Sequence, residues 1–146
     1  MAKNELDDAL AKVPLFAGLS KKEIRHVSSL ATGIPIAAGR ELTHQGDQGR
    51  EFLVVLDGTV DVLIDGVTVA TCGAGDFFGE VALLDGGERT ATVVARTDVF
   101  VEVINRAEFS SLLGSHPQIA DKIRAAKERR LEENAAHRGE ATSPGP

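Results

Sequence analysis

Cysteine is nearly absent from this sequence: Cys72 is the single one in 146 residues, so no internal disulfide can staple the fold. The start "MAKNELDDAL" has no apolar h-region, which excludes the secretory-signal pattern. No run approaches the roughly 18 apolar residues of a membrane helix. An excess of positive charge is missing too. The formal net charge is -6, the wrong sign for a protein that holds nucleic acid by broad phosphate neutralisation. These absences predict a soluble cytoplasmic protein with no membrane contact and no direct DNA partner. At this length one domain with extensions is expected.

What is present changes character twice along the chain. Residues 1–31 read as helical: Leu6, Leu10 and Val13 recur at helical spacing, and "SKKEIRHVSSLA" opens with Ser20 three before Glu23. That spacing is a capping box, in which each side chain satisfies an orphan amide at the helix start. Residues 32–105 read as short strands. "EFLVVL" ends in Asp57-Gly58, "TVDVLI" in Asp65-Gly66, and "VTVATC" in Gly73-Ala74-Gly75-Asp76, a succession of hairpin signals. Val60, Val62 and Ile64 mark the better-buried face of one strand, and further strands are expected at Thr90–Arg96 and Val99–Ile104. Such spacing implies a sandwich, jelly roll or small barrel and excludes a parallel sheet with crossover helices.

Residues 106–136 return to helix. "RAEFSSLLGSH" is expected to stop at Gly114, and Pro117 to open a longer helix, where its missing amide hydrogen costs nothing. Ile119, Ile123, Ala126 and Leu131 give that helix a thin apolar stripe. Residues 137–146, "HRGEATSPGP", have almost nothing to bury and are expected to be disordered. The reading is therefore one domain over 1–136 with a tail.

The chemistry concentrates in "GDFFGEVALLDGGERTATV". "GEVALL" reads as a short helical turn between strands, and its unpaired first amides favour an anion. Arg89 adds a fork of donors that matches phosphate oxygens in pairs. Glu80 can only accept hydrogen bonds at neutral pH, so it suits a sugar hydroxyl and would repel a phosphate. The residues describe a pocket for a compact ligand with one phosphate and one free ribose hydroxyl. The other reading of Glu80 and Arg89 is a structural ion pair closing a loop. "GAGDFFG" is no dinucleotide fingerprint, because its last glycine is misplaced and the strand-turn-helix context is missing.

This stretch resembles the phosphate-binding cassette of the cyclic-nucleotide-binding domain family, with "G-D", "F-G-E", "A-L" and "R-T-A-T" at the family's spacing, and the resemblance extends over most of the chain. It implies a mainly β fold with flanking helices: a double-stranded β-helix, or jelly-roll, barrel with N-terminal helices and a long C-terminal helix. It implies a ligand, cyclic AMP, in a site made of Phe78, Gly79, Glu80, Val81, Ala82, Arg89, Thr90 and Ala91. There Glu80 would hold the ribose 2′-hydroxyl, Arg89 the cyclic phosphate, and the amides after Gly79 would complete the cradle. Gly46 and Asp47 resemble the turn after the family's second strand. Thr90, directly after the arginine, is compatible with cyclic GMP as well. When the last helix is laid on the family's, "RRL" at Arg129–Leu131 matches and Asn134 falls where a base-contacting threonine stands. Ala135 lacks the hydroxyl that reaches across a dimer, so a monomer or a weak homodimer through this helix is expected. Family transcription factors continue into a DNA-reading domain beyond this point. The chain is accordingly expected to be a stand-alone receptor, signalling through its last helix to an effector protein in trans.

Two other classes compete. A module that has lost its ligand and survives as a protein-binding surface would leave Glu80 and Arg89 buried without purpose, which is costly. A cupin-like enzyme needs several imidazoles around a metal, whereas His26, His44, His116 and His137 fall on separate elements with no close pair expected. Ser28, Ser29, Ser110 and Ser111 have no partner placed by any recognisable motif. No enzyme activity is expected.

Overall fold

The computed structural model describes residues 3–138. Helix α1 (Lys3–Ala11), a 3-10 turn (Pro14–Phe16) and α2 (Lys21–Ser29) precede the strands. The capping box at the start of α2 is present. The Ser20 hydroxyl accepts from the Glu23 amide at 3.1 Å, and the Glu23 carboxylate accepts from the Ser20 amide at 2.9 Å. The same bonds hold the Glu23 carboxyl below its ordinary value.

Eight strands follow: β1 (Thr32–Ile36), β2 (Glu41–Thr43), β3 (Glu51–Asp57), β4 (Thr59–Ile64), β5 (Val67–Gly73), β6 (Phe77–Phe78), β7 (Thr92–Ala95) and β8 (Val99–Asn105). Helix α3 (Glu80–Asp85) interrupts them between β6 and β7, and α4 (Arg106–Ser115) and α5 (Pro117–Arg138) close the chain. All ladders are antiparallel. They form two four-stranded sheets, ordered β1-β8-β3-β6 and β2-β7-β4-β5. The jelly roll is therefore open, two facing sheets where a barrel was expected. The Asp65-Gly66 turn between β4 and β5 carries positive φ at both residues, 52° and 80°, the handedness that matches a tight hairpin.

Two apolar clusters explain why β3 reads as a continuous hydrophobic run. Leu53 and Val55 point between the sheets, with Val99 and Val101 of β8 and Val60, Val93 and Ala95 of the opposing sheet. Phe52 and Val54 point the other way, into a second core with Leu10, Ile24, Val27, Phe109, Leu112, Ile119 and Ile123 from the helices. A strand buried on both faces loses its alternation. The first sheet is thus a wall shared by the roll interior and the helical layer.

Several boundaries differ from the sequence reading. The strand expected from Thr90 begins at Thr92, leaving Thr90 in the preceding turn. α4 passes through Gly114 to Ser115 and ends where the His116 amide bonds the Leu112 carbonyl. α5 runs to Arg138, so residues 137 and 138, placed in the tail, are helical; the rest of the expected tail lies outside the described residues. Leu131 is 41% exposed and leaves the apolar stripe, whose buried members are Ile119, Ala120, Ile123 and Ala126. The histidines are not all apart. His26 Nδ1 on α2 lies 3.0 Å from His116 Nε2 at the α4–α5 joint, brought together by packing across 90 residues of sequence. No described helix is long and apolar enough to cross a membrane.

Candidate functional site

Between β6, α3 and the turn before β7 lies a cavity of about 310 Å³. Its walls include Phe78, Gly79, Glu80, Val81, Ala82, Arg89, Thr90, Ala91 and Asn134, so the residues expected to touch the ligand all line one cavity, while Gly46 and Asp47 stand outside it. β4 and β5 supply an apolar side through Val62, Val69, Ala70 and Cys72. α5 forms the roof with Ala126, Arg129, Arg130, Glu133 and Asn134.

Glycine at position 79 makes the turn into α3 possible. Its φ is 102°, and a Cβ there would stand 2.5 Å from the Glu51 carbonyl oxygen and 2.6 Å from Arg89 Nη1. The chain after it supplies Glu80, Val81 and Ala82, all buried. The loop after α3 is zipped to the β2–β3 loop by backbone bonds: Arg89 N to the Asp47 carbonyl at 2.7 Å, Gly46 N to the Arg89 carbonyl at 3.0 Å, and Gly49 N to the Gly87 carbonyl at 3.1 Å. This is the job of the Gly46-Asp47 turn. A Cβ on Gly49 would sit 2.3 Å from Ala82 Cβ, so the loop reaches α3 only because that residue has none. On the opposite flank, the Thr43 hydroxyl donates to the Ala91 carbonyl at 3.0 Å.

Arg89 is 9% exposed. Its Nη1 donates to the Glu51 carbonyl at 2.9 Å, and Arg89 itself makes no salt bridge to a carboxylate among the described residues. Burial pulls its pKa down, partly countered by Glu51 and Glu80. A desolvated guanidinium bonded to a neutral carbonyl keeps further donors that an anion could accept from.

Glu80 is 1% exposed, and it does not form the loop-closing ion pair with Arg89 that was the alternative reading. Its Oε1 accepts from Arg130 Nη1 of α5. Burial pushes the Glu80 carboxyl up, opposed first by Arg130, then by the amides of Glu80 and Val81 and by Arg89. Arg130 was missed in the sequence reading of the site. Its Nη2 donates to the Phe77 carbonyl, and its guanidinium carbon lies 5.1 Å and 5.0 Å from the ring centroids of Phe77 and Phe78, within cation–π range. Two signals could have found it. A carboxylate expected to be buried needs a cation, and Ala126, Arg130 and Asn134 are spaced four apart, on one helix face. One turn earlier on α5, Lys127 Nζ pairs with Asp85 Oδ1 at 3.0 Å, a second tie between α5 and α3.

Arg130→Ala is expected to lower stability near neutral pH by about 2 kcal/mol, less than the ~3–5 kcal/mol of breaking a fully buried pair, because the Arg130 side chain is 28% exposed. Without the guanidinium the Glu80 carboxyl rises further, so it binds a proton more readily than in the unfolded chain. The deficit should therefore shrink as pH falls. Urea unfolding at pH 5 and pH 7.5 measures it, and an equal deficit at both would remove Arg130 as the partner of the Glu80 charge.

No group of three or more histidine, cysteine, aspartate or glutamate side chains that could hold a metal is present among the described residues.

Comparison with known proteins places this arrangement. The family model described as cyclic nucleotide-binding domain matches residues 34–116, more than half the chain. The cAMP-dependent protein kinase regulatory subunit of Aspergillus niger is 37% identical over 107 residues, 72% of this chain and 26% of that protein. The Cyclic AMP receptor protein of Thermus thermophilus is 33% identical over 125 residues, 82% of this chain and 58% of that protein. The solved structure of cAMP-bound PfPKA-R (141-441) superposes with a TM-score of 0.84 at 26% identity, covering 96% of this chain and 48% of that one. The chain thus spans less than two thirds of the length of each.

Proposed function

Since the chain belongs to the cyclic nucleotide-binding domain family, we propose that its ligand is cyclic AMP, bound in the cavity beneath α5. The cyclic phosphate lies against Arg89, the amides after Gly79 and the turn at Thr90 and Ala91. The ribose 2′-hydroxyl donates to Glu80. A carboxylate has about four acceptor positions over two oxygens, so Glu80 can keep Arg130 on Oε1 and take the hydroxyl on Oε2. Asn134, on the α5 face that roofs the cavity, reads the base: its carbonyl accepts from the adenine amino group while its amide donates to a ring nitrogen. Thr90 admits cyclic GMP as a second ligand, since its hydroxyl can accept from the guanine amino group.

The observation that carries this reading is Arg89: a buried guanidinium facing a cavity with no carboxylate bound to it. The output follows from α5. Ligand and lid share Glu80, so binding favours the arrangement in which α5 is packed down, provided the ligand binds that arrangement more tightly. A protein partner then reads the position of α5, and the receptor acts without a DNA contact of its own, as a monomer or a weak dimer. Activity of this kind, for the whole protein, is the proposal.

Calorimetric titration with cyclic AMP is the test, with amide exchange followed across residues 117–136. Saturable one-to-one binding and slowed exchange in α5 are expected, and Asn134→Ala should weaken both. Absence of binding would remove cyclic AMP as the ligand. Binding with unchanged exchange would keep the pocket and discard the lid.

A further inference from the structure

Away from the cavity, two side-chain oxygens among the described residues are buried without a hydrogen-bond partner: Oδ1 of Asp7 and Oε2 of Glu102. Both belong to carboxyl groups, one on α1 and the other on β8 of the first sheet. Glu102 is in the middle of β8, paired with Gly33 on β1 and Val54 on β3, and is 1% exposed. Along β8 it alternates with Val101 and Val103, which point between the sheets. It therefore shares the face of Phe100 and Ile104, under the helical layer.

That surrounding is apolar. The elements on this face contribute Val54 from β3, Ile24 and Val27 from α2, and Phe109 and Leu112 from α4, and β1 contributes the side-chain-free Gly33. Leu6 of α1 reaches within 3.9 Å of where a Gly33 Cβ would stand, so α1, which carries Asp7, packs over the strand position opposite Glu102. Asp7 is the charged group that acts on Glu102.

An ionised Glu102 in such a site would be desolvated, unpaired and repelled by the Asp7 charge. One hydrogen removes all three difficulties. If Glu102 Oε2 carries it and donates to Asp7 Oδ1, both orphan oxygens are satisfied by a single bond. We propose that Glu102 holds a proton and donates it in a hydrogen bond to Asp7 Oδ1, and that this bond clamps α1 onto the first sheet. Burial first, then the charge of Asp7, push the Glu102 carboxyl up to about 7, in agreement with a proton held on Glu102.

The direction with pH follows from linkage. When α1 lifts, Glu102 meets water and returns to the ordinary carboxyl value of about 4.3. The closed form holds the proton more tightly, so opening is favoured by about tenfold per pH unit from that value up to about 7. Above that it levels off. The clamp is firm in acid and weakest at neutral and alkaline pH.

Amide exchange of α1 at pH 5, 6, 7 and 8, corrected for the intrinsic rate, tests the clamp in the whole chain. The opening constant of wild type should rise about tenfold per unit to pH 7 and be flat to pH 8. Glu102→Gln should abolish that slope, because its amide donates to Asp7 and does not titrate. Wild-type protection that ignores pH, or a slope that survives in Glu102→Gln, overturns the proposal. Should that variant fail to fold, the side-chain carboxyl carbon of Glu102 is followed by NMR in wild type. Titration near 7 supports the clamp, and titration at the ordinary carboxyl value overturns it.

Discussion

Arg89→Ala is expected to weaken cyclic-nucleotide binding by about 2–5 kcal/mol, the scale of removing one member of a buried, hydrogen-bonded charge pair. The size follows from the surroundings. Arg89 is 9% exposed and is held by the neutral Glu51 carbonyl. The desolvation of the guanidinium is thus already present in the free protein, and the phosphate meets a cation that water does not screen. Truncation leaves the phosphate in the same dry site with amides alone. Stability should change much less, by about 1 kcal/mol for the lost bond to Glu51, partly offset because a buried cation is no longer desolvated. Arg89→Lys should recover only part of the affinity, since an ammonium keeps the charge and loses the paired donors. Calorimetry alongside thermal unfolding separates the two effects. A folded Arg89→Ala protein that binds cyclic AMP as wild type does would end the phosphate assignment.

Gly79→Ala should produce the largest loss of fold stability, about 3–5 kcal/mol. A left-handed backbone costs a side chain-bearing residue roughly 1–3 kcal/mol, and overpacking against a neighbour that cannot move adds about 1–3 kcal/mol. The neighbour here is the Glu51 carbonyl, 2.5 Å from the new Cβ, on a strand locked to β8 through the Glu51–Asn105 pair. Arg89 Nη1, at 2.6 Å, would also be displaced, so nucleotide affinity falls with stability. Gly86→Ala is the control: that residue too has positive φ, 67°, but nothing lies within 4 Å of its Cβ position. It should lose only about 1 kcal/mol and bind normally. Equal losses in urea unfolding would show that backbone strain alone, and not the close approach to β3, explains why glycine stands at position 79.

Position along the chain was enough to locate α3 and the residues that line the cavity from it. The "FGE" turn, the short apolar run and Arg89 beside Thr90 are neighbours in sequence, and local spacing dictates which way their backbone amides and side chains point. Asn134 was reached differently, by laying α5 on the family's helix, and it too lines the cavity. Arg130, only one turn away, was passed over because its partner is 50 residues distant, and its place on the Asn134 face shows that it can reach the cavity without showing which carboxylate it meets. The His26–His116 contact and the Asp7–Glu102 pair escaped for the same reason. Each joins an N-terminal helix to a late element, and strand or helix periodicity says which face a side chain takes but not what lies opposite.

By itself, then, the sequence determined the order of helix, strand and helix, the Ser20–Glu23 cap, the Asp65-Gly66 hairpin and which cassette residues line the cavity. All of these arise from interactions within a few residues, where geometry is dictated by covalent connection. Only the tertiary structure decided that the roll is two open sheets and that β3 is a wall between two cores. It alone decided that Glu80 carries Arg130 and that α5 roofs the cavity while Leu131 stays exposed. These depend on which surfaces meet when the chain closes on itself, and burial then sets what each charge costs. A carboxylate reads the same in the sequence whether it ends beside a guanidinium, as Glu80 does, or beside another carboxyl group, as Glu102 does.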